Sequence, residues 1–265
     1  MGWLHEGHRA LMRRARDESA TVVVSIFVNP RQFNVTSDFT RYPRNEARDL
    51  EMCEAEGVDI IFAPEVEQIY PRGFATTVSV GAVALPLEGA ARPGHFDGVA
   101  TVVAILFDLV AAERAYFGQK DAQQVMVIRQ MARDLAIATE VVACSTVREP
   151  DGLALSSRNV HLSSDERAAA TVLRRALIAA RDAWRAGERS GDALRGAMSD
   201  LVTAEPLAAV EYVSVADAAT LAELSTVDGP ALASLAVRFG TTRLIDNEVL
   251  DADLVGDTTT GTPSA

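Results

Sequence analysis

Residues 21–28 read Thr-Val-Val-Val-Ser-Ile-Phe-Val and stop at Asn29-Pro30. A short apolar run rich in β-branched side chains, with no polar alternation, fits a strand buried on both faces, the habit of parallel sheets covered by helices. The flanking sequence agrees. His8 to Glu18 places Leu11, Met12 and Ala15 at helical spacing, and Glu46 to Glu56 forms a second helical stretch that ends at Gly57. Val58 to Phe62 reads as the next strand, Phe96 to about Ala112 as a long apolar helix, and Ala115 to Phe117 as a strand. Asp121 to Leu135 then reads as a helix and Thr139 to Val142 as a strand. This alternation predicts an α/β domain over residues 1–146 with a parallel, doubly wound sheet and ligands at the carboxyl ends of its strands.

The pattern changes after that. Ser163 and Glu166 have capping-box spacing at the start of an Ala-rich helix running to about Ala186, and Asp192 to Ala204 predicts another. Val210 to Val215, Leu232 to Val237 and Thr242 to Ile245 read as strands, giving a smaller α+β domain over residues 147–250. From Asp251 the composition turns to Asp, Gly, Thr, Pro and Ser, which predicts a frayed tail over 251–265.

With 265 residues, 48% of them hydrophobic, the chain can bury a sizeable core. Its longest apolar stretch, Val99 to Ala112, contains Asp108 and is too short to cross a bilayer. The first residues lack the pattern of a secretory signal, so the expected compartment is the cytosol. Cys53 and Cys144 lie far apart without metal-ligand spacing and read as small buried hydrophobes. A net charge of −12 argues against a nucleic-acid surface, which needs many cations facing phosphates, yet it leaves room for a small anion held by a local cluster.

Such a cluster can be assembled. Of the 25 basic residues, Lys120 is the one lysine. An ammonium is a compact point charge, not interchangeable with the planar guanidinium fork at a tight phosphate or carboxylate site. It lies in Gly118-Gln119-Lys120-Asp121, at a strand-to-helix turn, where Lys120 suits charge developing at an α-phosphorus. Asp121 reads either as a ribose acceptor or as a helix N-cap. His5-Glu6-Gly7-His8 opens a helix with two imidazoles three residues apart. The helix N-terminus favours an anion, and Gly7 leaves room for a phosphate near the backbone. A zinc site fits less well, because His-Glu-x-x-His spaces its ligands by four. Ser156-Ser157-Arg158 falls between the two domains and suits a β,γ-phosphate clamp, with an ordinary polar hinge as the plain alternative. Gln32 and Gln124 offer amides for a small polar acid. Tyr42, Pro43, Arg44 and Asp49 form a further polar group, with Asp49 a candidate magnesium partner through water or ATP oxygens.

Six ordered segments then resemble one family, pantothenate synthetase. They are Met-Gly-x-Leu-His-Glu-Gly-His at 1–8, Val-Ser-Ile-Phe-Val-Asn-Pro-x-Gln-Phe at 24–33, Tyr-Pro-Arg at 42–44, Arg-Pro-Gly-His-Phe-Asp-Gly-Val at 92–99, Phe-Gly-Gln-Lys-Asp at 117–121, and the stretch from Val147 to Asn159. Gly240 to Asn247 is similar to the family's C-terminal end.

The resemblance implies a Rossmann-like nucleotidyltransferase domain with a C-terminal lid, a homodimer, and ATP with Mg²⁺. It also implies a reaction in which ATP and pantoate give pantoyl adenylate and pyrophosphate, and β-alanine then gives pantothenate and AMP. By motif, His5 and His8 would contact ATP phosphates, and Lys120 would bridge the α-phosphate and the pantoate carboxylate. Ser156, Ser157 and Arg158 would hold the outer phosphates, and Gln32 and Gln124 would hold pantoate. Gly118, Asp121 and the backbone near Val147 would seat the nucleoside.

Departures from the family pattern are Gln119 in place of Glu, Ala122 in place of an aromatic, and Trp3 in place of a small residue, which would crowd the pocket mouth. The resemblance also places a further segment, with a hydrophobic first strand, ahead of the Met-Gly. The expectation is therefore that this strand is absent, that Met1 is an internal methionine, and that the sheet loses a central member. Two readings compete with the ligase: a related nucleotidyltransferase acting on a phosphate-bearing acceptor, and an inactive truncated remnant.

Overall fold

The computed structural model describes residues 2–34, 39–40 and 42–250. Met1 and the expected tail at 251–265 lie outside the described residues. The N-terminal part follows the predicted alternation. Helix α1 (Glu6–Glu18) leads to β1 (Val23–Ser25), α2 (Glu46–Ala55) to β2 (Ile60–Phe62), and after short helices α3 (Val66–Ile69) and α4 (Glu88–Ala91) the long α5 (His95–Val110) leads to β3 (Arg114–Gly118). Helix α6 (Ala122–Asp134) and β4 (Glu140–Cys144) complete it.

All four strands pair in parallel, but in two separate couples, β1 with β2 and β3 with β4. The single doubly wound sheet expected from the sequence is therefore two parallel pairs. Between the couples lies a cavity of about 540 Å³ lined by Val23, Val24 and Ser25 of β1 and by Ala115, Tyr116 and Phe117 of β3. Its floor is α5, through Val99, Val102, Val103 and Phe107. The opposite side of α5 packs with Val127, Ile128 and Met131 of α6, so the helix is buried nearly all round, which is why it reads as continuously apolar.

The C-terminal part holds α7 (Ser164–Ala169), α8 (Val172–Arg185), α9 (Gly191–Thr203) and the antiparallel sheet β5 (Ala208–Asp217), β6 (Ala231–Phe239), β7 (Thr242–Leu250) in that order. The predicted capping box is formed: Ser163 Oγ accepts from Glu166 N–H at 3.3 Å and Glu166 Oε2 accepts from Ser163 N–H at 2.8 Å. The helix it starts is broken at Ala170-Thr171, so the one long helix of the sequence reading is two.

Strand β6 is buried on both faces. Ala231, Ala233, Leu235, Val237 and Phe239 point into the core under α8 and α9, while Leu232 packs with Ala122, Met126 and Leu221 towards the N-terminal part. Ser234, on the same face as Leu232 by the period of two, is also buried and lines a second cavity of about 950 Å³ between the two parts.

Candidate active site

The first turn of α1 is organised by its own histidines. Gly7 N–H donates to His5 Nδ1 at 3.2 Å and His5 N–H donates to His8 Nδ1 at 3.2 Å, a capping box built from two imidazoles with ring centroids 4.1 Å apart. An Nδ1 that accepts leaves the proton of a neutral ring on Nε2, so each ring keeps an Nε2–H donor for a ligand. Burial, and then the charge of Lys120, lowers the His5 pKa to about 4. Burial, and then His5, lowers that of His8 to about 3. Both are neutral donors at physiological pH, not cations. Gly7 does not leave the open room expected of it: a Cβ there would meet His5 Cε1 at 2.9 Å, so glycine is needed to admit the capping ring itself.

Asp49 is corrected more sharply. Its carboxylate is 1% exposed and accepts from Trp3 N–H and Leu4 N–H, both at 2.7 Å. With both oxygens committed to the backbone ahead of His5, Asp49 is an anchor for the histidine loop and not a magnesium partner. Arg48 completes the clamp, donating to Leu4 O at 2.8 Å and stacking over Trp3 at 5.1 Å. Trp3 accordingly lines neither cavity and does not crowd the site.

Every other residue that the resemblance assigned to a ligand lines the smaller cavity: His5, His8, Gln32, Gly118, Lys120, Asp121, Gln124, Val147, Ser156, Ser157 and Arg158. One end of this cavity is apolar, between the strand pairs, and the other carries these polar groups. Gly118 ends β3 and begins a 3-10 turn, Gln119–Asp121, so Lys120 leaves the carboxyl end of a parallel strand as expected. Its ammonium lies 3.8 Å from Asp121 Oδ1. Asp121 holds the N-cap position of α6 without a side-chain capping bond, so of its two readings the capping one is not realised.

The phosphate-clamp segment is a 3-10 turn, Ser157–His161, capped by Ser156 Oγ accepting from Arg158 N–H at 3.3 Å. Ser157 Oγ lies 3.4 Å from the hydroxyl of Tyr42, which also lines the cavity, whereas Arg44 points to backbone carbonyls of its own loop. The carbonyl of Val147 accepts from Leu155 N–H at 3.0 Å, and the buried hydroxyl of the neighbouring Thr146 has no protein partner among the described residues.

Gln32 is 8% exposed, and its Oε1 accepts from Asn29 Nδ2 at 3.1 Å. Asn29, itself 1% exposed, also donates to Gly98 O at 3.0 Å and accepts from the Tyr70 hydroxyl at 2.8 Å. This close seat exists because residue 98 is glycine: a Cβ there would fall 2.3 Å from Arg31 O.

Two residues of the cavity walls escaped assignment from the sequence although their motif was noticed. Arg92 and His95 line both cavities. Arg92 donates to Gln32 O at 3.0 Å, and His95 Nδ1 lies 2.8 Å from the same oxygen while its Nε2 faces Arg92. Burial, followed by the charge of Arg158, lowers Arg92 to about 10. Burial, followed by Arg92, lowers His95 to about 4. Among the described residues neither Arg92 nor Arg158 has a carboxylate in ion-pair contact, so two guanidinium groups without an ion pair line the cavities together with Lys120. An acidic protein has here a local seat for polyanions.

The description "Pantoate-beta-alanine ligase" belongs to the family model that matches residues 1–249 of this chain. That match runs from residue 1 and gives no support to the expectation of an absent leading segment. A pantothenate synthetase of Roseiflexus sp. (strain RS-1) is 62% identical over 252 residues, which are 95% of this chain and 91% of the relative. The crystal structure of a pantothenate synthetase from Thermus thermophilus superposes with a TM-score of 0.91 at 51% identity, covering 94% of this chain and 90% of that one. A pantoate–β-alanine ligase of Francisella tularensis, solved with a β,γ-ATP ligand and β-alanine, gives 0.77 at 34% identity, covering 94% and 87%. The nucleotidyltransferase with a phosphate-bearing acceptor does not agree with these matches. A cavity lined by neutral histidine donors, one lysine and unpaired arginines, in a chain so matched, places it in the pantoate–β-alanine ligase family, whose ATP-dependent reaction forms pantothenate.

Proposed function

We propose that the reaction runs through pantoyl adenylate at the polar end of the smaller cavity. The pantoate carboxylate attacks the α-phosphorus of ATP and pyrophosphate leaves; the β-alanine amine then attacks the acyl carbon and AMP leaves. Lys120 sits between the two anions and neutralises the charge that builds at the α-phosphate. The Nε2–H groups of His5 and His8 donate to phosphate oxygens, and Ser156, Ser157 and Arg158 hold the β- and γ-phosphates. Gln32 and Gln124 orient pantoate, and Gly118, Asp121 and the backbone at Val147 seat the nucleoside. Catalysis in this reading is alignment and charge stabilisation, without a covalent enzyme intermediate.

The residues present do not make a magnesium cage. Among the described residues no group of three or more His, Cys, Asp or Glu side chains converges, and Asp49 is occupied by backbone amides. Magnesium belongs to this reading as a companion of the ATP phosphates, and no step is routed through it.

Residues 147–250 serve as the lid of this site, keeping water from the mixed anhydride, and the enzyme works as a cytosolic homodimer. No described helix is long and apolar enough to cross a membrane.

The observation that carries the reading is the meeting of Lys120, both histidines and Arg158 on one cavity. Its test is exchange of labelled pyrophosphate into ATP by the purified protein. Exchange should require pantoate and fall by about 10²–10³-fold in Lys120→Ala. Exchange that proceeds without pantoate, or that survives the substitution, rejects it.

A further inference from the structure

The turn that carries Lys120 is held from the other half of the molecule. Asn247 on β7 donates through Nδ2 to the carbonyl oxygens of Gln119 and Lys120 at 3.0 and 2.9 Å, and Gln119 Nε2 donates back to Asn247 Oδ1 at 3.3 Å. Asn247 is 5% exposed and Gln119 8%. Losing these bonds would leave the buried carbonyl of Gln119 and the partly buried one of Lys120 without those donors.

The aim of the Asn247 side chain is itself fixed. On β7 it lines the larger cavity beside its cross-strand neighbour Ser234. Asn247 N–H donates to Asp246 Oδ1 at 2.8 Å. Asp246, 2% exposed, receives both terminal nitrogens of Arg148 at 2.6 and 3.0 Å. Arg148 also donates to Gly152 O at 3.1 Å, within the segment that runs on to Ser156 and Arg158. One connected set of bonds thus joins the Lys120 turn, the last strand and the start of the phosphate-clamp segment.

The Lys120 turn needs such support. It is a three-residue 3-10 turn followed by a helix whose N-cap makes no side-chain bond. Charge stabilisation at a transition state requires the cation within about 0.5 Å of its working position. We propose that Asn247 is a positioning residue: its amide fixes the Lys120 turn so that the ammonium meets the α-phosphate, and the C-terminal sheet is a working part of the site. The inference rests on the reading of Lys120 given above.

The test is Asn247→Leu, which removes both donors while keeping the branching of the side chain. Active sites are counted from the burst of pyrophosphate released on mixing with ATP and pantoate. Turnover per active site should fall by about a hundredfold, as for a displacement of about 1 Å at a reacting centre. KM for ATP and for pantoate should stay within about threefold. Asn247→Gln, which keeps the donors on a longer stem, should recover part of the turnover.

Full turnover per site with a lower melting temperature or a smaller active fraction would show a structural role only and overturn the proposal, as would a raised KM at unchanged turnover. Should the Leu variant not fold, Asn247→Asp, of the same shape but without donors, is read by the same criteria. Lys120→Ala measured alongside separates the two claims. Unchanged exchange in that variant removes the reading of Lys120, whereas its loss together with full turnover in Asn247→Leu removes only the role of Asn247.

Discussion

In the C-terminal sheet the middle strand β6 has hydrogen-bonded neighbours on both edges and packed side chains on both faces. In the N-terminal part the strands β1 and β3 each have one parallel partner and turn towards a cavity. The difference matters because the proposed chemistry sits on the less consolidated side. His5, His8 and Lys120 all belong to the N-terminal part, at a helix start and a strand end, where free backbone donors and open volume suit a polyanion. Open volume gives poor mechanical support, and each group is held by a bond from a distant residue: Asp49 for the histidine loop and Asn247 for the lysine turn.

The contrast in packing can be broken by matched truncations. Leu235 is fully buried under α8 and α9, and Leu235→Ala should cost about 2–5 kcal/mol in urea unfolding. Leu106, only partly buried on the wall of the smaller cavity, already lacks neighbours on one side, and Leu106→Ala should cost about 1 kcal/mol. Equal losses would show that the two parts are packed alike.

A smaller effect sharpens the account of the supports. Asp49→Asn keeps the size of the side chain but can accept from only one of the two amides of Trp3 and Leu4. Losing one bond to a charged acceptor is worth about 1.5–3 kcal/mol. If the histidine loop carries phosphate donors, this appears as KM for ATP raised by about ten- to a hundredfold, with a smaller change in turnover. Unchanged ATP binding would separate the loop from the nucleotide.

The gentlest probe is pH. His5, His8 and His95 are lowered from an ordinary value near 6.5 to about 4, 3 and 4, in each case first by burial. The unfolded chain therefore binds protons before the folded one does. These groups leave stability at its full value above pH 6.5 and withdraw it as pH falls from there towards 4 and 3. Denaturant unfolding followed across that window should show the slope, and His95→Gln should flatten part of it. Above pH 6.5 the rate profile should carry no histidine limb. A limb there would mean that one imidazole is protonated in the working enzyme.

Much of this was legible before any fold was known. The short apolar runs, the capping box at Ser163 and the ordered motifs identify the elements and name the residues that gather on one cavity. Local patterns report local geometry, and a strand end or a helix start is a local event. The break at Ala170-Thr171 was not legible, because nothing in an Ala-rich stretch there marks a stop.

What sequence determined by itself is the inventory of groups and the ends of elements on which they sit. Tertiary structure decided what holds them. Asp49 reads as a metal partner until its carboxylate is seen spanning the 45 or 46 positions to Leu4 and Trp3. Arg92 and His95 read as part of a motif until burial and mutual contact set their charge. Asn247 ends a segment similar to the family's C-terminal end, but nothing local gives its contacts, since its partners lie 127 and 128 positions away. A hydrogen bond of that span is written into no window of the chain and exists only once the two halves have packed.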